Sequence, residues 1–386
     1  MTELPKPDSV FNEEYNAKAK SLYRLVYDAQ SSANNKKELI YCRIVGYLLL
    51  HPINLTARGA VLNELASIHG LDGTQPSFKI YELGKMYLEH LIRPFRKHKG
   101  KSPFSSSHVS RPSFDRQRED TKAILQDNPT SHTTAKKKAL MRDGYRCIIS
   151  GRFDRSSLVE SEALRKAVYS SWTNDEIRHV ATECAHIFAD ATNAGITGDS
   201  EAQSQKREIF WTILEKFGYP KFSEELNGPG IHRLDNVMTL DHNAHDPFDE
   251  LALWLEAVDG VPNTYKIQTS YTPEMIKGLD LPTHVTFSHQ SALRVDPSLA
   301  MEPKFPDNLP LPNPEYLHIH ASVCKIAHMS GAAGYIDYIF RKMEDIGVLS
   351  EDGTSADVIE GALSFLTNAP RSVAISAFRR VSGLQK

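Results

Sequence analysis

The sequence predicts a mixed α+β chain, mainly helical, with a small strand-bearing core flanked by N- and C-terminal helical regions. Three observations carry this. Apolar residues recur at helical spacing towards both ends of the chain. Short apolar or β-branched runs bounded by Gly and Pro turns gather in its middle third. A stretch rich in Ser, Pro and basic residues separates the first region from the second.

Leu22, Tyr23, Val26 and Tyr27 share one helical face, as do Ile40, Ile44, Val45 and Leu48. Pro52 and Asn54 break the second helix. Ala60, Leu62, Leu65 and Ile68 open a third that Gly70 stops, and a fourth runs over about 78–92 until Pro94. Residues 1–96 therefore read as an N-terminal helical region. Residues 97–138 read as a linker, with SPFSSSHVSRPSF lying between one basic cluster (Arg93, Arg96, Lys97, Lys99, Lys101) and another (Lys136, Lys137, Lys138). The charge either guides a phosphate backbone towards the next region or forms a solvated hinge; the hinge is the preferred reading.

Residues 139–272 hold the strands. A short strand is expected at 147–149 before Gly151, and another in HVATECAHIF, placing His186 near a strand end. An inserted helix is expected over 200–217. Gly228-Pro229-Gly230 makes a turn before the apolar run Val237-Met238-Thr239-Leu240, and 251–258 with 264–269 form a hairpin about Asp259-Gly260. Residues 273–312 form a proline-rich connector, MEPKFPDNLPLPNP being a semi-rigid spacer. Residues 313–386 are again helical. EYLHIHASVCKIAHMSG makes one helix stopped by Gly331, 335–346 a second that buries Ile336, Ile339, Phe340 and Met343, and 355–366 a third capped by Ser355.

Composition bounds the function. The 386 residues are 40% hydrophobic and 24% charged, as expected of a soluble globular chain with room for two or three domains. No apolar run reaches the eighteen or so residues that a membrane helix needs. The N-terminus lacks the basic and apolar pattern of a secretory signal, and Cys42, Cys147, Cys184 and Cys324 form no CxxC pair. An intracellular location, cytoplasmic or nuclear, is therefore expected. A net charge of −3 and a pI near 6.6 argue against a protein that coats nucleic acid with its whole surface, while leaving room for a local basic groove.

The chemistry sits in a few residues. His186 stands at the end of a strand, where a side chain can be held rigidly. His245 and Asp249 are four residues apart, on one face of a helix that Asp241 or Asn243 can cap. An imidazole and a carboxylate at that spacing can share one divalent cation. Pro247 fits this helix only within its first turn. His242 is expected to face solvent, and Asp241 and Asp246 to complement the helix dipole. His318 and His320 cannot face the same way on one helix and are not read as a metal site.

The order of a strand, AHI, Asn236, a histidine nine residues on, then FD resembles the HNH endonuclease-like domains of fungi and bacteria. The resemblance covers roughly residues 145–267; ECAHIF and NVMTLDHNAHDPFDELALWLEA are its most specific pieces. LHIHASVCKIAHMSGAAGYIDYIF also resembles the tail of uncharacterised fungal HNH proteins. The resemblance implies a ββα-metal core and a metal-dependent phosphodiester hydrolase acting on a DNA or RNA backbone. In it His186 is the general base, Asn236 ties its loop to the strand bearing His186, and His245 and Asp249 hold the ion. Mg2+ or Mn2+ is the expected ion, and imidazole also accepts Zn2+ or Ni2+. One position departs from the family pattern: Ala185 stands where many members place a metal-binding Asp or His. Glu183 and Ala185 face away from His186 on a strand, so Glu183 is expected to replace that ligand only where the strand ends or bulges. Two other classes stay open: the same fold turned to a small-molecule reaction, and a catalytically inactive binding protein.

Overall fold

Short polar caps set where the helices begin. The Asn35 side chain accepts from the Glu38 N–H (3.0 Å), and the Glu38 carboxylate accepts from the Asn34 N–H (2.7 Å), which starts the helix Lys36–Leu50. Asn54, expected to break that helix, does so by capping the next one, Leu55–His69: its side-chain oxygen accepts from the Ala57 N–H at 2.7 Å. The computed structural model describes residues 2–11, 17–69, 76–96, 129–173, 177–189, 201–288 and 309–345. It is mixed α+β and mainly helical, with small sheets. No helix among the described residues is long and apolar enough to cross a membrane.

The chain divides into two compact units, Met1–Ser102 with Ala189–Glu224 and Ser322–Lys386, and Pro103–Phe188 with Glu225–Ala321. In the first unit the helices Ala17–Ser31 and Lys36–Leu50 bury the faces their periodicity predicts, with Leu22, Tyr23, Val26, Ile40, Ile44, Val45 and Leu48 in the core. Leu55–His69 instead buries Ala57, Val61 and Leu65 rather than the Ala60, Leu62, Leu65 and Ile68 face expected, and Pro76–Tyr87 buries Ile80, Tyr81, Gly84 and Tyr87. Gly84 allows a close approach of two of these helices, since a Cβ there would lie 2.1 Å from the Tyr41 carbonyl oxygen. The inserted helix forms as expected, over Glu201–Lys216.

The strands among the described residues all belong to the second unit. Strand β1 (Phe153–Asp154) pairs in parallel with β2 (His179–Val180). Strand β3 (Thr182–His186) runs antiparallel to β4 (Val237–Asp241), residue for residue from Thr182 opposite Asp241 to His186 opposite Val237. HVATECAHIF is thus two strands broken at Ala181. The expected hairpin is present as β5 (Leu253–Ala257) and β6 (Thr264–Thr269), and β7 (His284–Thr286) adds to it. Residues 147–149 are not the strand expected. Gly151, at φ 73°, turns the chain so that the Cys147 N–H reaches the Arg152 carbonyl (2.8 Å) and the Gly151 N–H the Cys147 carbonyl (2.9 Å).

Two helices enclose the β3–β4 pair. His132–Arg142, capped by Ser131, packs Ala135, Ala139 and Met141 on Cys184 and Val237. It begins inside the segment whose composition reads as linker, so Lys136 to Lys138 are helical and Lys138 is buried. Arg142 anchors its end: buried with Asp143 in a two-point ion pair (2.7 and 3.0 Å), it also donates to the carbonyls of Leu234 and Val237. Asp143 in turn accepts from the Thr239 N–H of β4 (3.0 Å). The second helix, His242–Asp249, follows β4 directly, with Asp241 as its cap accepting from the Ala244 N–H (3.1 Å).

Pro247 lies in the second turn of His242–Asp249, not the first as expected. Asp241 fixes the helix start one turn earlier, so Pro247 removes one donor from the body of the helix. Asn243, whose carbonyl would have received it, is exposed. The helix closes at once, with Leu251 at φ 59° and the Ala252 N–H on the Pro247 carbonyl (2.7 Å). Towards the C-terminus the helices Pro314–Ser330 and Ala332–Asp345 form, and Gly331 ends the first at φ 88°. His320 is buried and stacked on Phe248 (centroids 3.9 Å apart). The helix expected over 355–366, most of the linker and half of the connector lie outside the described residues.

Candidate metal and general-base site

His186 ends β3, and Asn236 holds the chain just beyond it. The Ile187 N–H donates to the Asn236 carbonyl (2.8 Å) and the Phe188 N–H to the Asn236 side-chain oxygen (2.9 Å). The Asn236 amide then donates to the carbonyls of Phe188 (3.1 Å) and Ile231 (2.8 Å). Fully buried, this one side chain ties the turn before β4 to the backbone leaving His186. The His186 ring is itself buried, its Nε2 lying 3.0 Å from His232 Nδ1. The His132 ring, at the start of His132–Arg142, is 5.7 Å away between centroids.

The opposite face of β3 carries a second set. Glu183 Oε2 lies 2.6 Å from His245 Nδ1, and His245 Nε2 lies 3.2 Å from Asp249 Oδ2. Glu183 Oε1 approaches His242 Nε2 at 3.4 Å, and His242 Nδ1 approaches Asp246 Oδ1 at 3.5 Å. Asp249 and His245 are mostly buried, their side chains 9% and 12% exposed, whereas Glu183 is 43% exposed, so the set opens to solvent on the Glu183 side.

Strand alternation explains the division. Thr182, Cys184 and His186 point to one face of β3 and Glu183 and Ala185 to the other. The helix His132–Arg142 covers the Cys184 face. The helix His242–Asp249 meets β3 through Glu183. His245 and Asp249 are therefore brought together as the sequence predicts, while His186 stands across the strand from them rather than in the same volume. Neither the strand end nor the bulge that would let Glu183 replace the missing ligand occurs at Glu183, which meets the helix from its own side of the strand. β3 is regular throughout, and the helix lies on the Glu183 side.

The cluster is rich in carboxylates. Three carboxylates (Glu183, Asp246, Asp249) surround two imidazoles, an excess of negative charge if both rings are neutral. A neutral imidazole carries one N–H and can donate to only one of the two carboxylates facing His245. A second proton, or a cation drawn between ring nitrogen and carboxylate, satisfies the other approach. Oxygen and imidazole donors in this mixture suit Mg2+, Mn2+ or a borderline ion such as Zn2+ or Ni2+.

Sequence reasoning missed Glu183 as the partner of His245, although the alternation of β3 is enough to group it with Ala185. It also missed His232 and His132. His232 lies in the 3-10 turn Gly228–His232 and His132 beside the linker, and no periodicity links either to His186. The chain matches no protein-family model, no curated protein and no solved structure.

Proposed function

We propose that this chain is a metal-dependent phosphodiester hydrolase built on an HNH-like ββα element (β3, β4 and His242–Asp249) and acting on the backbone of DNA or RNA. The observation that carries the reading is the carboxylate–imidazole–carboxylate run Glu183–His245–Asp249 on the face of β3 opposite His186.

In this reading His245, through Nε2, and Asp249 hold one divalent ion, while Glu183 accepts from the opposite ring nitrogen and orients the imidazole. When bound, such an ion supplies positive charge to a phosphate oxygen and to the departing alkoxide. His186 takes the proton from the attacking water. An imidazole suits that task at neutral pH, and the His232 contact at 3.0 Å holds the ring in place. Asn236 is a positioning residue: its hydrogen bonds set the backbone that follows His186 and so the direction of the ring. β3 pairs with β4 along one edge and with no other strand among the described residues along the second. A phosphate would have to lie along that edge for His186 on one face of the strand and the Glu183 set on the other both to act on it.

The test is cleavage of supercoiled plasmid and of single-stranded DNA and RNA with Mg2+ or Mn2+, comparing the natural chain with His186→Ala and His245→Ala. Metal-dependent cleavage lost in both variants supports the proposal. Equal cleavage by all three proteins, or none by the natural chain with any of these substrates, overturns it.

A further inference from the structure

We propose that His132, Cys184 and His186 form a second site, for a thiophilic divalent ion of the Zn2+ class, on the face of β3 away from Glu183. One ligand atom from each residue lies within 4.8 Å of the other two. Ligands at Zn–N and Zn–S bonding distances around a tetrahedral ion stand about 3.4–3.7 Å apart. The group is therefore near its bound spacing, and small rotations about side-chain bonds close the gap.

The fold supports those rotations unequally. Cys184 and His186 are two residues apart on a regular strand, so they share a face and are rigidly spaced. Both are buried. His132 is exposed at the start of a helix with its ring 5.7 Å from that of His186 between centroids, which gives the ion a route in from water. His232 stands against His186 at 3.0 Å and fixes the orientation of that ring. Thr239 is the ladder partner of Cys184 on the same face. Its buried hydroxyl oxygen has no hydrogen-bond partner among the described residues, and a water filling the fourth position of the ion would supply one.

A thiolate with two imidazoles selects a softer ion than the Glu183 set does, so the two faces of β3 discriminate between metals. Occupation takes a ring of His186, the proposed base, out of service. Zn2+ at this site therefore inhibits hydrolysis that Mg2+ or Mn2+ at the other supports. The binding claim stands whether or not the chain cleaves nucleic acid; the inhibition alone rests on that reading.

Titration of the metal-free full chain with Co2+ tests it. One equivalent is expected to produce tetrahedral cobalt bands in the visible and a thiolate-to-cobalt charge-transfer band in the near ultraviolet, with Zn2+ displacing both. Cys184→Ser is expected to abolish the charge-transfer band and His132→Ala to weaken Co2+ binding at least tenfold. Cys147→Ser leaves the spectrum unchanged, and circular dichroism verifies that each variant is folded. Absence of the charge-transfer band in the natural chain, or its persistence in folded Cys184→Ser, overturns the proposal. A chain that shows the bands but cleaves no substrate retains this site and loses only the hydrolase reading.

Discussion

Glu183 Oε2 and His245 Nδ1 stand 2.6 Å apart, joining the middle of β3 to the helix that follows β4. Asp249 engages the other nitrogen of the same ring at 3.2 Å. One imidazole thus stands between two carboxylates from different elements.

Glu183→Gln keeps the size of the side chain and removes its charge. Mn2+ affinity, measured by isothermal titration, is expected to fall about tenfold or more, since changes even to groups that only orient metal ligands cost that much. Affinity equal to that of the natural chain would show that Glu183 does not serve the metal site.

His186→Ala is expected to lower the cleavage rate about 100-fold or more while leaving Mn2+ binding intact, as the loss of a general base requires. If the titration curve for Mn2+ changes as much as the rate, His186 is not acting as the base.

Asn236→Ala strips partners from the Phe188 N–H and from the carbonyls of Phe188 and Ile231, all at a fully buried position. Each buried polar group left without a bond costs about 1–3 kcal/mol, so a loss of about 3 kcal/mol in urea unfolding is expected. Unfolding unchanged to within about 0.5 kcal/mol would show that the Asn236 bonds are not holding the turn.

Gly84→Ala places a methyl group 2.1 Å from the Tyr41 carbonyl oxygen, on backbone that cannot swing aside. Overpacking of this kind costs about 1–3 kcal/mol, so a lower melting temperature is expected. A melting curve superimposable on the natural one would mean the two helices are not so closely packed.

Burial pushes the Cys147 thiol from 9.0 up to about 11. Above pH 9 the unfolded chain gives up this proton while the folded chain keeps it. The thiol's contribution is therefore complete below pH 9 and is lost as pH rises through about 11, at up to about 1.4 kcal/mol per pH unit. Cys147→Ala is expected to flatten the fall of stability with pH across that window. Parallel pH profiles for the two proteins would refute it.

Much of the architecture is legible in the chain because it depends on neighbours in sequence. The apolar faces of Leu22 to Val26 and Ile40 to Leu48, the stop at Gly331, the hairpin about Gly260 and the pairing of His245 with Asp249 all follow from local periodicity or turn chemistry. Residues 147–149 look like a strand because they are apolar, yet Gly151 draws them into a turn. The same apolar run satisfies either arrangement, and only backbone bonds elsewhere select one.

By itself the sequence determined that Glu183 and Ala185 share one side of a strand and Cys184 and His186 the other, since the pleat alternates whatever surrounds it. It also placed His245 and Asp249 together, by the pitch of a helix. Only the tertiary structure decided which side each helix covers. The packing of Ala135 and Ala139 on Cys184, and the contact of His245 with Glu183, separate the two sets of ligands. Such packing joins residues far apart in the chain, and no local period encodes it.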